Sequence, residues 1–208
     1  MIRMIPASAL RVVNVLLNAT SPLSLRELSR EAQVPLSICS RYVNELERLG
    51  YLRKKPRIKV TNQELVYFIA YGRPLRSLPA ASFESLERPQ YLIKKIALLA
   101  GERLTYAFTH LAGAELIAPY VVPDEVYLYV EEKQLNEWMR LLEGNEIYPC
   151  DDGSVHLVFS DLNPFYGARE VRGARVVSDF LLFSDLYSCG GRAREAAKFL
   201  AQKVGLRV

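Results

Sequence analysis

Five residues near position 40 have side chains that can recognise the edges of base pairs. Successive members lie three, one, three and four residues apart, a spacing that places them on one face of a helix. Arginine can pair bidentately with guanine and asparagine with adenine, and serine can contact either bases or phosphates. The sequence therefore predicts a helix that reads the major groove of DNA through Ser37, Ser40, Arg41, Asn44 and Arg48.

A cluster of basic residues follows this helix within a few positions. Leu52, Ile58 and Val60 alternate with basic residues around Pro56, and this pattern predicts two short strands joined at residues 54–57. Cations on such a hairpin are suited to phosphates, and neutralising several phosphates gives a salt-sensitive affinity that depends little on base sequence. The predicted phosphate contacts are Arg53, Lys54, Lys55, Arg57 and Lys59.

Three predicted helices must position both groups of side chains. Helical spacing of apolar residues predicts a first helix over residues 7–18 and a third over residues 36–49, which Gly50 ends. Ser24, followed three residues later by Glu27, forms a capping box that opens the second helix. The order of helix, helix, tight turn, helix and basic hairpin is typical of a winged helix-turn-helix, whose third helix fits the major groove.

The charge of the chain is divided unevenly. Residues 1–60 carry eleven basic and four acidic side chains, a net charge of +7, whereas the rest carries 16 basic and 19 acidic side chains, a net charge of −3. This asymmetry indicates that the N-terminal part binds a polyanion, and double-stranded DNA fits the predicted winged helix best. The same residues leave two alternatives open, namely RNA as the polyanion and a winged helix that contacts proteins.

The rest of the chain predicts helices and strands without strict alternation, which indicates an α+β fold. We expect a small-residue helix over residues 107–117, a strand over residues 146–149 and two closing helices near residues 179–187 and 192–204. Glycines flank the basic residues near position 170, so we expect a loop there. The role of these residues is open; surface solvation, a contact with DNA or another domain, and anion binding are the alternatives for Arg169, Arg172 and Arg175.

A proline-containing stretch divides the two parts of the chain. Three prolines fall within residues 72–89, and prolines and glycines punctuate loops. We therefore predict a winged-helix DNA-binding domain at residues 1–72, a linker at residues 73–87 and an α+β regulatory or partner-binding domain at residues 88–208.

The sequence offers little for catalysis. Gly153 and Ser154 followed by Asp161 resemble part of a nucleotidyltransferase site, but such a site needs a second carboxylate for Mg²⁺, and Asn163 stands in that position. The two histidines have no partner at metal-ligand spacing, and GxSxG, P-loop, HExxH and GxGxxG motifs are absent. We expect no catalytic residue, no metal site and no cofactor, so the chain is not predicted to be an enzyme.

The composition also predicts a compartment. The longest apolar runs are shorter or more interrupted than the roughly 20 apolar residues that a membrane-spanning helix needs. The three cysteines lie far apart without a CxxC motif, which indicates a reducing environment, and the N-terminus lacks the apolar segment of a secretory signal. We expect a cytoplasmic protein without a membrane partner.

Two stretches resemble known regulators. Ser24–Gly50, mainly through Val34–Gly50, resembles the bacterial and archaeal winged-helix regulators. Leu104–Tyr120 resembles the start of the C-terminal domain in the AbiEi family, and Val176–Leu186 and Gly191–Ala197 resemble the closing helices of that domain. The AbiEi proteins are antitoxin-type transcriptional regulators of type IV toxin–antitoxin systems. The resemblance implies a DNA-binding repressor of its own operon that opposes a nucleotidyltransferase-like toxin.

Residues 88–208 carry little net charge, so we expect them to bind a protein instead of DNA. A second copy of the chain would give a homodimer or a cooperative assembly that matches a palindromic operator. Two alternative functions stay open: a nucleic-acid-processing enzyme that docks through the winged helix, and a winged-helix module for protein interaction.

Overall fold

The computed structural model describes residues 5–208, and the first four residues of the predicted winged-helix domain lie outside them. The described N-terminal part consists of helices and a small two-stranded antiparallel sheet, in which Leu52 pairs with Val60. Its elements are α1 (Ala7–Asn18), α2 (Leu25–Ala32), α3 (Leu36–Arg48), β1 (Leu52–Arg53), β2 (Lys59–Val60), a 3-10 helix (Gln63–Val66) and α4 (Tyr67–Gly72).

The C-terminal part is built on one mixed seven-stranded sheet with the strand order β6-β3-β7-β5-β4-β9-β8. The pairs β4–β9 and β5–β7 are parallel, and the other neighbours are antiparallel. This architecture confirms the predicted α+β class. The elements are a 3-10 helix (Leu75–Ser77), β3 (Ala80–Glu84), α5 (Pro89–Ala100), β4 (Tyr106–Thr109), α6 (His110–Ile117), β5 (Val126–Val130), a 3-10 helix (Glu132–Gln134), α7 (Leu135–Glu143), β6 (Tyr148–Pro149), β7 (Val155–Val158), β8 (Arg169–Val171), β9 (Ala174–Val176), α8 (Asp179–Cys189) and α9 (Gly191–Val204).

Helices pack on both faces of the sheet, and β4 and β5 are therefore buried along their whole length. On one face, the ring centroid of Tyr106 lies 6.2 Å from that of Trp138 on α7. On the other face, the hydroxyl of Thr109 donates a hydrogen bond of 2.6 Å to Asp185 on α8. Within residues 5–208, every helix is too short or too polar to cross a membrane.

Helix α8 joins the two parts of the chain. Helices α1 and α4 both pack against it, and α1 is apolar on most of its circumference because it lies between α8 and the other N-terminal helices. The ring of Tyr187 lies with its centroid 5.0 Å from that of Tyr67 and 6.0 Å from that of Tyr71. We call the four rings at this contact the interdomain aromatic cluster: Tyr67, Tyr71, Phe183 and Tyr187.

The segment predicted as a linker, residues 73–87, is instead a structured connection. Arg73, Leu75 and Phe83 are buried, and β3 lies within the sheet between β6 and β7. Pro74 comes just before the 3-10 helix and Pro79 just before β3, whereas residues 80–83 pair with β7 and residues 83–84 pair with β6. The sheet domain therefore begins before the predicted boundary at residue 88.

The predicted helix over residues 107–117 is a strand followed by a helix. Residues 106–109 form β4, and α6 begins at His110, whose φ of 53° breaks the backbone between the two elements. A short apolar run buried on both faces has the same composition whether it is a strand or a helix. The small residues of this stretch therefore indicated burial without indicating which element is formed.

The loop predicted around Arg169, Arg172 and Arg175 is a hairpin of β8 and β9. Arg172 and Gly173 occupy its two-residue turn with φ values of 52° and 78°. Positive φ at both central residues gives a turn whose twist matches that of paired strands, and glycine favours such positions. The flanking glycines thus mark a tight turn here. The strand predicted over residues 146–149 is shorter than expected, because only Tyr148 and Pro149 pair with β3.

Candidate nucleic-acid interface

Helix α3 presents one buried and one polar face. Cys39, Val43 and Leu46 are buried, and their spacing of four and three residues keeps them on the side that packs against α1 and α2. The predicted reading residues lie on the opposite side. Ser40 is half-buried, and the other four are exposed: Ser37, Arg41, Asn44 and Arg48.

Helix α2 and the turn after it hold α3 in place. The Ser24 hydroxyl accepts a hydrogen bond from the Glu27 amide at 3.2 Å, and a Glu27 carboxylate oxygen accepts one from the Ser24 amide at 2.7 Å. These reciprocal bonds are the predicted capping box. Gln33 then adopts a left-handed conformation with φ of 52°, and buried Val34 anchors the turn before α3 begins.

The hairpin of β1 and β2 lies beside α3 and forms the wing. Leu52 and Ile58 are buried and fix its base, and Ile58 exchanges two backbone hydrogen bonds with Leu23, at 2.8 and 3.0 Å. The polar residues between them extend into solvent. Of the five predicted phosphate contacts, Lys54 is half-buried and four are exposed: Arg53, Lys55, Arg57 and Lys59.

Carboxylates already neutralise three of the seven cations in these two groups. Arg48 pairs with Glu45 at 2.6 Å, Lys54 pairs with Glu47 at 2.9 Å, and Arg57 pairs with Glu27. The hydrogen bond from the Ser24 backbone, followed by that from Arg57, lowers the pKa of Glu27 to about 2. Glu27 therefore stays ionised as a cap for α2 and as a partner for the wing.

The other four cations of the two groups have no ion pair within residues 5–208: Arg41, Arg53, Lys55 and Lys59. All four are exposed, and the Arg41 guanidinium lies 5.3 Å from the ring centroid of Tyr42. A cation without an ion pair in the protein neutralises a phosphate without first breaking a contact with a carboxylate. This set is therefore the part of the surface best suited to a polyanion.

Sequence reasoning missed the acidic residues of this surface. Glu27 was recognisable as a cap, but its pairing with Arg57 joins residues 30 positions apart. Glu47 was equally hidden, because its partner Lys54 becomes a neighbour only when the wing folds back on α3. No spacing rule within a single helix relates these residues.

A buried polar cluster in the sheet domain joins Arg73 to Asp185, 112 residues apart in the chain, and sequence reasoning did not identify this pair. The Arg73 guanidinium donates to the Tyr129 hydroxyl at 2.8 Å and to the Asp185 carboxylate at 3.3 Å, and both Thr109 and Tyr129 donate to that carboxylate. Burial raises the pKa of Asp185, whereas Arg73 and the two hydroxyls oppose this rise. Because Arg73 and Asp185 are buried, this cluster connects structural elements and offers no open site.

Within the described residues, no metal site forms around Asp161, the carboxylate considered for metal-dependent catalysis. Asp161 is exposed in the loop after β7, whereas Asp185 is enclosed by the buried cluster. In the part of the chain that the structure describes, no three histidine, cysteine or acidic residues converge as metal ligands. On the β8–β9 hairpin, Arg169 pairs with Asp179, and Arg172 and Arg175 are exposed.

Two family models match the chain. The model described as IclR helix-turn-helix domain matches residues 8–56, which cover α1 from its second residue, α2, α3 and the start of the wing. The model described as "Transcriptional regulator, AbiEi antitoxin, Type IV TA system" matches residues 87–204, more than half of the chain. No curated protein matches the sequence of the chain. The first match agrees with the exposed polar face of α3, and it confirms the predicted helix-turn-helix domain.

Proposed function

Because the chain belongs to the AbiEi antitoxin family of transcriptional regulators, we propose that it represses its own operon by binding an operator there. The helix-turn-helix domain makes it a DNA-binding regulator. The observation that carries the proposal is the outer face of α3, where Arg41 and Asn44 are exposed beside a wing with three cations that have no ion pair in the described residues. A helix and a hairpin in this arrangement can contact the major groove and the neighbouring backbone together.

Gel-shift titrations with DNA from upstream of the gene test this proposal. Arg41→Ala is expected to weaken binding at the operator by about 1–3 kcal/mol, because one good side-chain contact with a base contributes that much. Arg140→Ala on α7, an exposed arginine outside the interface, is the matched control and should leave affinity unchanged. Equal effects of the two variants would remove α3 from the role of reading bases.

We further propose that the sheet domain binds protein, and that two copies of the chain assemble on the operator. Helix α5 exposes Tyr91 and Leu98, which are 65% and 83% accessible. They line a groove of about 650 Å³ that also includes Lys94 and Arg172. Exposed apolar side chains beside charged ones favour a protein surface as the partner.

The effect of Leu98→Asp on cooperativity tests the assembly. This variant is expected to bind the operator with a less steep titration, while its affinity for one half-site stays unchanged. Leu86→Asp is the control, because Leu86 is fully exposed and does not line the groove. An equally steep titration for wild type and Leu98→Asp would exclude the groove from assembly.

The toxin is the second proposed protein partner. The family description places such regulators in type IV toxin–antitoxin systems. From the resemblance noted in the sequence, we propose that the toxin is nucleotidyltransferase-like. The neighbouring gene supplies a direct test. The product of the neighbouring gene should arrest growth when it is expressed alone, and co-expression of this chain should relieve that arrest. A neighbouring gene whose product is not toxic would argue against an antitoxin role.

We propose that the chain acts in the cytoplasm by binding and not by catalysis. Asp161 is exposed and stands beside Asn163 where a metal site would need a second carboxylate. Asp161→Asn is therefore expected to leave DNA binding intact, and neither the wild type nor the variant should cleave or modify DNA. Nuclease or nucleotidyl-transfer activity that disappears with Asp161→Asn would instead support the nucleic-acid-processing alternative.

A further inference from the structure

Lys54 ties the wing to the outer face of α3. Its ammonium donates to the side-chain oxygen of Asn44 at 2.8 Å and to a carboxylate oxygen of Glu47 at 2.9 Å. The Lys54 backbone amide donates to the other Glu47 oxygen at 3.0 Å. Three contacts thus hold Lys54 against two residues that lie three positions apart on α3.

This arrangement fixes the direction of the Asn44 amide. An ammonium group has only donors, so the Asn44 atom that faces it must be Oδ1 and not Nδ2. The two hydrogens on Nδ2 consequently remain for a partner outside the protein. Asn44 is exposed, so this partner can be a base or a phosphate.

The bound oxygen changes which base Asn44 can read. Bidentate pairing with adenine requires Oδ1 to accept from N6 while Nδ2 donates to N7, whereas the guanine edge offers two acceptors, N7 and O6. Lys54 occupies one of the two lone pairs of Oδ1 and orients the amide, so the free polar hydrogens of Asn44 all lie on Nδ2, and these donors match the guanine edge better than the adenine edge. Adenine is the base that residue type alone suggested.

We propose that Lys54 is a positioning residue that makes Asn44 a donor and so sets a guanine preference at the base pair that Asn44 contacts. The proposal rests on the base-reading role of α3 proposed above. Glu47 neutralises the ammonium, and the side chains of Lys54 and Glu47 are each 38% exposed. The Lys54 charge is therefore already paired and is not free to neutralise a phosphate. Lys55, the next residue, is exposed and has no ion pair within residues 5–208, and it is therefore the natural comparison.

Selection of binding sites from random duplexes by the full-length chain tests the proposal. Asn44→Ala first identifies the base pair concerned, since preference at that position should disappear. Lys54→Met removes the ammonium, keeps most of the aliphatic chain and frees Oδ1. At that position we expect the ratio of guanine to adenine to fall about tenfold, the size of one good base contact.

Lys55→Met is the matched control, because it removes one cation from the same loop without touching Asn44. It should retain the guanine preference and reduce the slope of log affinity against log salt by about 0.9, the value for one phosphate contact. Lys54→Met should leave that slope nearly unchanged. Thermal unfolding of both variants checks that the wing remains folded.

The outcomes separate this proposal from the one on which it depends. A Lys54→Met chain that keeps the guanine preference and loses salt dependence as Lys55→Met does would make Lys54 an ordinary phosphate contact and overturn the inference alone. An adenine preference in the wild-type chain would overturn it as well. If the wild-type chain enriches no sequence, or Asn44→Ala changes no position, base reading by α3 itself fails.

Discussion

At the scale of single residues, the ion pair of Arg73 and Asp185 holds the end of α4 against the sheet domain. Both side chains are buried, and they connect the end of α4 to α8. Arg73→Met is expected to lower the free energy of unfolding by about 3–5 kcal/mol, because it leaves the Asp185 carboxylate buried without its counter-charge. Urea denaturation at neutral pH measures this loss.

Arg76 provides the matched control for Arg73. It pairs with Glu125 at 3.4 Å, but its side chain is 61% exposed, and solvent-exposed pairs contribute about 0–1 kcal/mol. Arg76→Met should therefore have a small effect. Combining Arg73→Met with Asp185→Leu should recover part of the loss, since removing both charges leaves neither unpaired. Equal destabilisation by the two single variants would contradict the role given to Arg73.

His110 is expected to make stability depend on pH. Burial, followed by the nearby charge of Arg76, lowers its pKa from 6.5 to about 4, and neither ring nitrogen has a hydrogen-bond partner in the described residues. Between these two pH values the unfolded chain binds a proton that the folded chain does not. Stability contributed by neutral His110 is thus complete above pH 6.5 and is lost as the pH falls, by about 3 kcal/mol at pH 4.

Urea denaturation of wild type and His110→Gln between pH 7.5 and 4.5 measures this dependence. The variant should lose stability less steeply than wild type in the acid range. Some dependence should remain, because burial also lowers the pKa of His156. Parallel curves for the two proteins would show that His110 is not the residue responsible.

Residue positions on the N-terminal surface could be predicted, whereas the ion-pair partners of Lys54 and Arg57 could not. The buried stripe of α3 follows from helical spacing, so the opposite placement of Arg41 and Asn44 follows as well. The contact of Lys54 with Asn44 depends on how far the wing folds towards α3, and that angle is set by tertiary packing at buried Leu52 and Ile58.

At the scale of elements, the wing should contribute affinity through its unpaired cations. Replacing Arg53, Lys55 and Lys59 with alanine is expected to reduce the slope of log affinity against log salt by up to about 2.7, at about 0.9 per phosphate contact. The loss of affinity should be similar for all DNA sequences. Titrations on an operator and on unrelated DNA at several salt concentrations measure both quantities.

The paired cations of the wing supply the comparison. Lys54 and Arg57 already neutralise Glu47 and Glu27, so replacing these two should change the slope by less per residue than replacing the unpaired three. If each of the five cations contributes the same slope, the internal ion pairs must open when DNA binds, and the distinction between the two sets is wrong.

The elements of the winged helix could be predicted more completely than those of the sheet domain. Amphipathic helices and a capping box are local signals, and they place α1, α2 and α3 correctly. The strands β3 and β4 were missed because their pairing is long-range, whereas β8 was missed because the glycines that flank its hairpin turn were taken as marks of a loop. Residues 80–84, for example, pair with strands near residues 148 and 158 and have no alternating pattern of their own.

At the scale of the whole molecule, the two domains are joined by packing as well as by the chain. The interdomain aromatic cluster and the Arg73–Asp185 pair both span the junction. The side-chain amide of Asn14 on α1 also donates to the Asn163 carbonyl at 3.1 Å. Composition indicated a linker because it records prolines but not these distant partners. A fragment ending at residue 72 would expose two tyrosines of the cluster, so variants of the full chain are better probes of DNA binding.

Such a junction lets the sheet domain fix the spacing between the two half-sites that a two-copy assembly can bind. In a two-copy assembly, the separation and rotation of the two reading helices are set by rigid packing and cannot adjust through a flexible tether. Inserting about five base pairs between half-sites places them on opposite sides of the duplex, and inserting about ten moves them roughly 34 Å further apart. We expect both insertions to abolish cooperative binding in gel-shift titrations. Cooperativity that returns with the longer insertion would mean that the two domains separate when the protein binds its operator.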